Sequence, residues 1–214
     1  MFGLFHKPGN ETAGVVLPHV HFQPWVGSGY ERGIVGRKVL VLGESHYCAK
    51  PEDDVPGLTV NVIRDLLDPD SEFEAYKNTY TKFERALAGK ELDWSGKAEL
   101  WNSVVFYNYV QVPMSGPRRA PAAAEFRASE AAFFEVLEHF RPDCVIVWGS
   151  RLYNNLPQSG RQGPDLRLPD GTHQETWTYT LSGGHTVRLL PITHPSAGFT
   201  PAYWHEAIIS FINR

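Results

Sequence analysis

The sequence predicts an α/β fold, a three-layer α/β/α sandwich around a central, mainly parallel sheet. Three observations carry this. The runs at 39–42 and 143–149 are apolar almost throughout, so the strands they form have no wet face. Helical patterns separate the apolar runs, as the crossovers of a parallel sheet require. Two runs end in polar loops shaped by Gly or Pro, and open α/β sheets bind ligands in the crevice outside the carboxyl ends of their strands.

Taken in order, residues 1–36 are rich in Gly, Pro, His and aromatics and lack periodicity. They form an irregular lead-in packed on a body that spans 37–214. Arg37 and Lys38 open the first strand, 39–42. Residues 48–58 form a polar loop containing Pro51, Asp53, Asp54, Pro56 and Gly57. Thr59 is placed to cap a helix with Val62, Ile63, Leu66 and Leu67 on one face. Asp68-Pro69-Asp70-Ser71 stops that helix, and Ser71 caps a second one over 72–88. The segment 98–112 is ambiguous, but its aromatic and β-branched run at 104–110 favours strand. Residues 113–121 are a Gly/Pro/Arg loop. A helix over 122–140 carries Phe126, Phe133, Val136, Leu137 and Phe140 as its apolar stripe and ends at Arg141-Pro142. The buried strand at 143–149 leads into a short helix, 150–156, and a polar loop, 157–173. Residues 174–181 and 185–192 flank Ser182-Gly183-Gly184 as a hairpin. An amphipathic helix over about 201–213 completes the pattern.

The chain has 214 residues, 42% hydrophobic, enough for one domain with a substantial core. Its formal net charge is -4, which weakly opposes a nucleic-acid partner, because a basic surface is the usual footprint of such proteins. Cys144 reads as a small core residue, whereas Cys48 follows the first loop and is expected to be partly exposed. Two cysteines do not make a disulfide scaffold or a four-Cys cluster. No apolar stretch reaches the roughly 20 residues that span a bilayer. A soluble, cytoplasmic, monomeric protein is expected. His19, His21 and His46 could gather around a metal, but their spacing is not diagnostic. No metal and no cofactor are expected.

The chemistry-bearing loops are Gly43-Glu44-Ser45-His46-Tyr47, after the first strand, and His194-Pro195-Ser196, after the last. Between them lie Phe106-Tyr107-Asn108-Tyr109 and the strand from Pro142 to Gly149. Four such motifs in this order, each at the end of an apolar run, resemble the uracil-DNA glycosylase superfamily over roughly residues 37 to 213. The resemblance implies a uracil-DNA glycosylase-like fold. It also implies hydrolysis of the N-glycosidic bond of uracil or another deaminated base in DNA. The first loop departs from the family pattern: Ser45 or His46 stands near the usual Asp or Asn, and the Pro is absent. No aromatic stands at 55–58, where the base-stacking residue is usual. The four cysteines of the iron–sulfur branch are not present.

On that resemblance His194 donates a hydrogen bond to the base carbonyl as charge develops, a contribution worth about 3–4 kcal/mol. Otherwise it is a histidine satisfied locally in a tight Pro turn. Asn108 reads the extruded base through its amide donor and acceptor, or closes its strand on local backbone. Asn102 competes for the reading role. Gly43, Tyr47 and Ser196 would line the base pocket. Glu44 holds a water, directly or through Ser45, or braces backbone amides of its own turn. His46 is a possible general base. Phe199 is either a wedge that fills the gap left by the base or the anchor of the last helix. Arg118 and Arg119, and also Arg161 and Arg167, are candidate phosphate contacts. Two other classes remain open. One is a catalytically impaired member of the fold that binds a nucleobase, nucleotide or other small ligand. The other is a serine hydrolase in which His194 activates Ser45 and Glu44 or Asp143 orients it.

Overall fold

The computed structural model describes residues 16–48, 50–116 and 119–214. Nine strands are assigned among them: β1 (Trp25–Val26), β2 (Val39–Gly43), β3 (Val104–Asn108), β4 (Cys144–Trp148), β5 (Arg161–Gln162), β6 (Leu166–Arg167), β7 (His173–Gln174), β8 (Trp177–Thr180) and β9 (Thr186–Ile192). Seven of them form one sheet in the order β1-β3-β2-β4-β9-β8-β5, and β6 and β7 pair separately. The inner four, β3, β2, β4 and β9, run parallel, while β1, β8 and β5 close the edges antiparallel. The chain is therefore α/β with a mostly parallel central sheet, and no helix among the described residues is long and apolar enough to cross a membrane.

Strand alternation explains the layers. Val39, Val41, Val104, Phe106, Cys144, Ile146, Trp148, Leu190 and Ile192 point to one face. There they meet α1 (Leu58–Leu66), α2 (Lys77–Ala88), α3 (Trp94–Asn102) and α7 (Pro201–Ile212). Leu40, Leu42, Val105, Tyr107, Val145, Val147 and Leu189 point to the other face. That face packs on α4 (Ala123–Ala128), α5 (Glu130–Phe140) and α6 (Ser150–Asn154). Successive side chains leave a strand on opposite sides, so a run apolar at every position needs a cover on both.

Several local expectations are corrected. The lead-in supplies an edge strand, β1, whose Trp25 indole donates to the Trp101 carbonyl at 2.8 Å. Thr59 does not cap α1; it lies inside the first turn, fully buried. Ser71 does not open α2, which begins at Lys77; its hydroxyl bonds the Asp65 carboxylate instead. The segment before β3 is a helix, α3, capped by Asp93, whose Oδ1 accepts from the Gly96 amide at 2.8 Å. The long helix over 122–140 is two helices that break at Ser129, whose hydroxyl donates back to the Glu125 carbonyl at 2.9 Å. The polar loop contains the short strands β5 and β6. Cys48 is buried, as Cys144 is. Arg118 lies outside the described residues.

Candidate functional site

After β2 the chain builds β3 on one side, and then β4 on the other. The order reverses between β2 and β4, and loops leaving their carboxyl ends diverge there to open a crevice. A cleft of about 1500 Å³ lies at this place. Its walls include Gly43 to Tyr47 after β2, Asn108 after β3, Gly149 to Arg151 after β4, and His194 and Ser196 after β9. Glu44 and His194 thus share one cleft, as their sequence positions predict.

The first loop is held from beneath. Its backbone is tied to the chain following β3, with the Met114 amide donating to the His46 carbonyl at 2.8 Å and the Cys48 amide to the Met114 carbonyl at 3.0 Å. His46 is buried and points inward. The Asn108 amide nitrogen donates to its Nε2 at 3.0 Å, and the Thr59 hydroxyl lies 2.8 Å from the same atom. Burial lowers its pKa to about 3. The ring is buried with Nε2 engaged by Asn108 and Thr59, so this nitrogen is not open to a water in the cleft. The Asn108 Nδ2 goes to His46, and its Oδ1 packs over Gly43, where an added Cβ would stand 2.0 Å away. Asn108 lines the cleft, and its amide nitrogen is engaged by His46. Asn102 lies at the opposite end of β3, with its carbonyl accepting from the Gly29 amide at 2.7 Å.

Glu44 does not brace its own turn. Its carboxylate takes a bidentate pair from Arg151 on α6, with Nε to Oε2 at 2.8 Å and a second bond from the terminal nitrogen to Oε1. The Glu44 side chain is only 10% exposed and that of Arg151 is 55% exposed. Fork-to-fork pairing of this kind fixes both groups. Ser45 and Tyr47 line the cleft; Tyr47 is half exposed, pairing as an isolated bridge with Met114.

His194 leaves β9 in the His-Pro turn. Gly149, at φ +97°, lets β4 end against it, since a Cβ there would stand 3.3 Å from the His194 Cβ. The Ser196 amide donates to His194 Nδ1 at 3.1 Å, and Ser196 Oγ lies 2.8 Å from the same nitrogen. A ring nitrogen that accepts from a backbone N–H carries no proton. The neutral imidazole therefore bears its proton on Nε2. Burial lowers its pKa, Glu44 opposes that and Arg151 adds to it. Ser196 lines the cleft and also fixes the ring. The ring lies edge-on to Trp148 at 6.0 Å, and Trp148 lies 5.5 Å from Tyr80. Tyr76, Tyr80, Trp148 and Trp204 all line the cleft. Tyr76, Tyr80 and Trp204 were missed in the sequence because α2 and α7 approach from distant positions. The signal for Tyr76 and Tyr80 was their i, i+4 spacing on one helix face.

The remaining candidates divide. Arg119 is exposed at the cleft wall, bonded to Ser115 Oγ at 3.1 Å. Phe199 is 8% exposed and stacks on Trp204 at 6.3 Å, so it anchors α7 and is no wedge. Arg161 and Arg167 are exposed on β5 and β6 and do not line the cleft. His19 and His21 bond Glu135 and Asp54. No cluster of three or more metal-ligating side chains occurs among the described residues. The serine-hydrolase arrangement is not assembled. The partner of His194 is Ser196 rather than Ser45, its Nε2 carries the proton, Glu44 is held by Arg151, and Asp143 accepts from the Lys38 amide at the far end of β4. No protein-family model matches the chain, and no curated protein matches it in sequence at a significant level.

Proposed function

We propose that the cleft binds a nucleobase and that the protein hydrolyses the N-glycosidic bond of uracil or another deaminated base in DNA, as a monomer with a uracil-DNA glycosylase-like fold. The observation that carries this reading is the state of His194. Ser196 commits its Nδ1, burial disfavours its charged form, and the ring lines a cleft shared with Tyr76 and Tyr80, so Nε2–H is the nitrogen left to donate. A fixed neutral donor of that kind stabilises a carbonyl oxygen that gains charge. In the proposed reaction the C1′–N bond breaks first and its electron pair passes to the base. His194 Nε2–H then holds the anionic carbonyl, while water adds at C1′ and releases a proton to solvent. Tyr76 and Tyr80 line the cleft as aromatic partners for the ring. Tyr47 and Arg119 stand at the walls where flanking nucleotides would pass.

A second reading is favoured by one observation. Glu44 is paired with Arg151, and His46 is neutral and engaged, so neither acid–base group of the first loop is free to activate water. A protein that binds a nucleobase or nucleotide without turnover would have this loop. Oligonucleotides carrying uracil, hypoxanthine or xanthine separate the two readings. Abasic sites formed by the intact chain, and lost roughly 10²–10³-fold in His194→Ala, support the glycosylase. Saturable uracil binding with no abasic sites supports the binder.

A further inference from the structure

Three neighbouring strands, β2, β4 and β9, deliver Glu44, Arg151 and His194 to one edge of the cleft. Leu42 pairs with Val147, and Trp148 with Ile192, so Glu44 and His194 each lie two residues beyond a paired position. Arg151 stands on the helix that follows the middle strand. We infer that Arg151 is a positioning residue that keeps His194 an uncharged donor, by binding the Glu44 carboxylate that shares the His194 cleft. The inference builds on the donor role proposed for His194, but its test needs no turnover.

The argument is one of charge balance. A carboxylate beside an imidazole favours the imidazolium, which would carry a proton on both nitrogens and break the Ser196 amide bond to Nδ1. Glu44 is nearly buried, so water screens it little. The bidentate guanidinium offsets its field at the ring and also fixes where the carboxylate sits. The groups that act on His194 are the charges of Glu44 from the β2 loop and Arg151 from α6, the Trp148 ring from β4 and Ser196 from its own turn. Of these only Glu44 and Arg151 carry charge. Sequence alone did not single out this arginine, because an Arg early in a short helix reads as solvated surface.

The test is the NMR titration of the His194 ring in the full chain, assigned by its loss in His194→Ala. Arg151→Met leaves the Glu44 carboxylate alone, and the His194 pKa should rise by about one unit. Glu44→Gln leaves the arginine alone, and the pKa should fall. The double variant should return to within a few tenths of the unaltered protein. Arg151→Lys keeps the charge and should move the pKa by less than Arg151→Met does. An unchanged pKa in Arg151→Met overturns the inference. So does a rise in Glu44→Gln, which also decides the matter if the arginine variant fails to fold. A failure of base excision with these shifts intact would refute the proposed activity and leave the electrostatic role standing.

Discussion

Replacing Gly43 by alanine tests whether the wall of the cleft is as tightly interlocked as its geometry requires. The new Cβ would stand 2.0 Å from Asn108 Oδ1, 3.2 Å from its Cγ and 3.3 Å from Phe106 Cζ. The first distance is 1 Å short of the 3.0 Å below which something must shift. The amide is not free to swing, because its nitrogen is bonded to His46 and both backbones are paired in the sheet, Gly43 opposite Asn108. Overpacking in a closed core costs about 1–3 kcal/mol, and a lost buried hydrogen bond adds about 1 kcal/mol. The expected loss is therefore about 2–4 kcal/mol, or on the order of 5–15 °C in Tm for a chain of this length. Urea unfolding followed by tryptophan fluorescence measures it. Asn108→Ala in the same chain removes the obstructing atoms, so the double variant should be less destabilised than the sum of the two singles by about 1 kcal/mol or more. A Gly43→Ala variant that loses less than about 0.5 kcal/mol, or strict additivity with Asn108→Ala, would refute the interlock.

Other consequences can be measured with the same unfolding assay. His46 is folded with a pKa near 3 against an ordinary value of 6.5, so the unfolded chain binds its proton first. Stability is then complete above about pH 6.5 and falls as pH drops toward 3, by up to about 1.4 kcal/mol per unit. His46→Gln should flatten that slope, and an unchanged slope would assign it to other groups. Phe199→Ala should cost about 3 kcal/mol as a core deletion, whereas a wedge residue would leave stability untouched. Lys77 is nearly buried and holds Asp65, Ser71 and the Glu72 carbonyl. Lys77→Met should cost about 1–2 kcal/mol, below the range for a sealed pair because Asp65 is one-third exposed. It should also speed amide exchange over 68–76, the segment that brings Glu74 and Tyr76 to the cleft.

The α/β class and the sheet were legible because both depend on pattern. Runs such as 39–42 and 144–148 are apolar at every position, and only a strand covered on two sides asks for that. Helix boundaries were less legible, for reasons visible in single residues. Thr59 has the side chain of a cap, yet His46 claims its hydroxyl. Ser71 likewise serves a long-range partner, the Asp65–Lys77 cluster. In Ala122 to Phe140 the apolar stripe continues across Ser129, and nothing in the pattern marks the hydroxyl that turns back to the chain. Short polar side chains have several backbone and side-chain partners within reach, and tertiary packing chooses among them.

The candidate site shows the same division more sharply. That the first and last loops meet follows from topology alone: once β2, β4 and β9 run parallel and adjacent, residues just beyond their carboxyl ends are neighbours whatever their chemistry. Which atoms face the cleft is a different matter, since it depends on side-chain bonds of a few ångströms. His46 and His194 each stand in a polar loop after a strand, and loop position alone does not say which of them faces the cleft. Packing separates them. His46 is met at Nε2 by Asn108 and Thr59, and so belongs to the wall. His194 is met at Nδ1 by its own turn, which leaves Nε2–H for whatever enters. The His-x-Ser spacing was the legible half of that distinction, because a backbone amide two residues on can reach a ring nitrogen in a tight turn. The other half was Asn108, and it was legible only through Gly43. A residue with no Cβ, opposite an Asn across a parallel pair, leaves room for the amide to lie over the strand end and reach a buried ring. The two glycines at the cleft thus have a common physical role. Gly43 admits Asn108 to His46, Gly149 admits the His-Pro turn to the end of β4, and a side chain at either position would move a histidine.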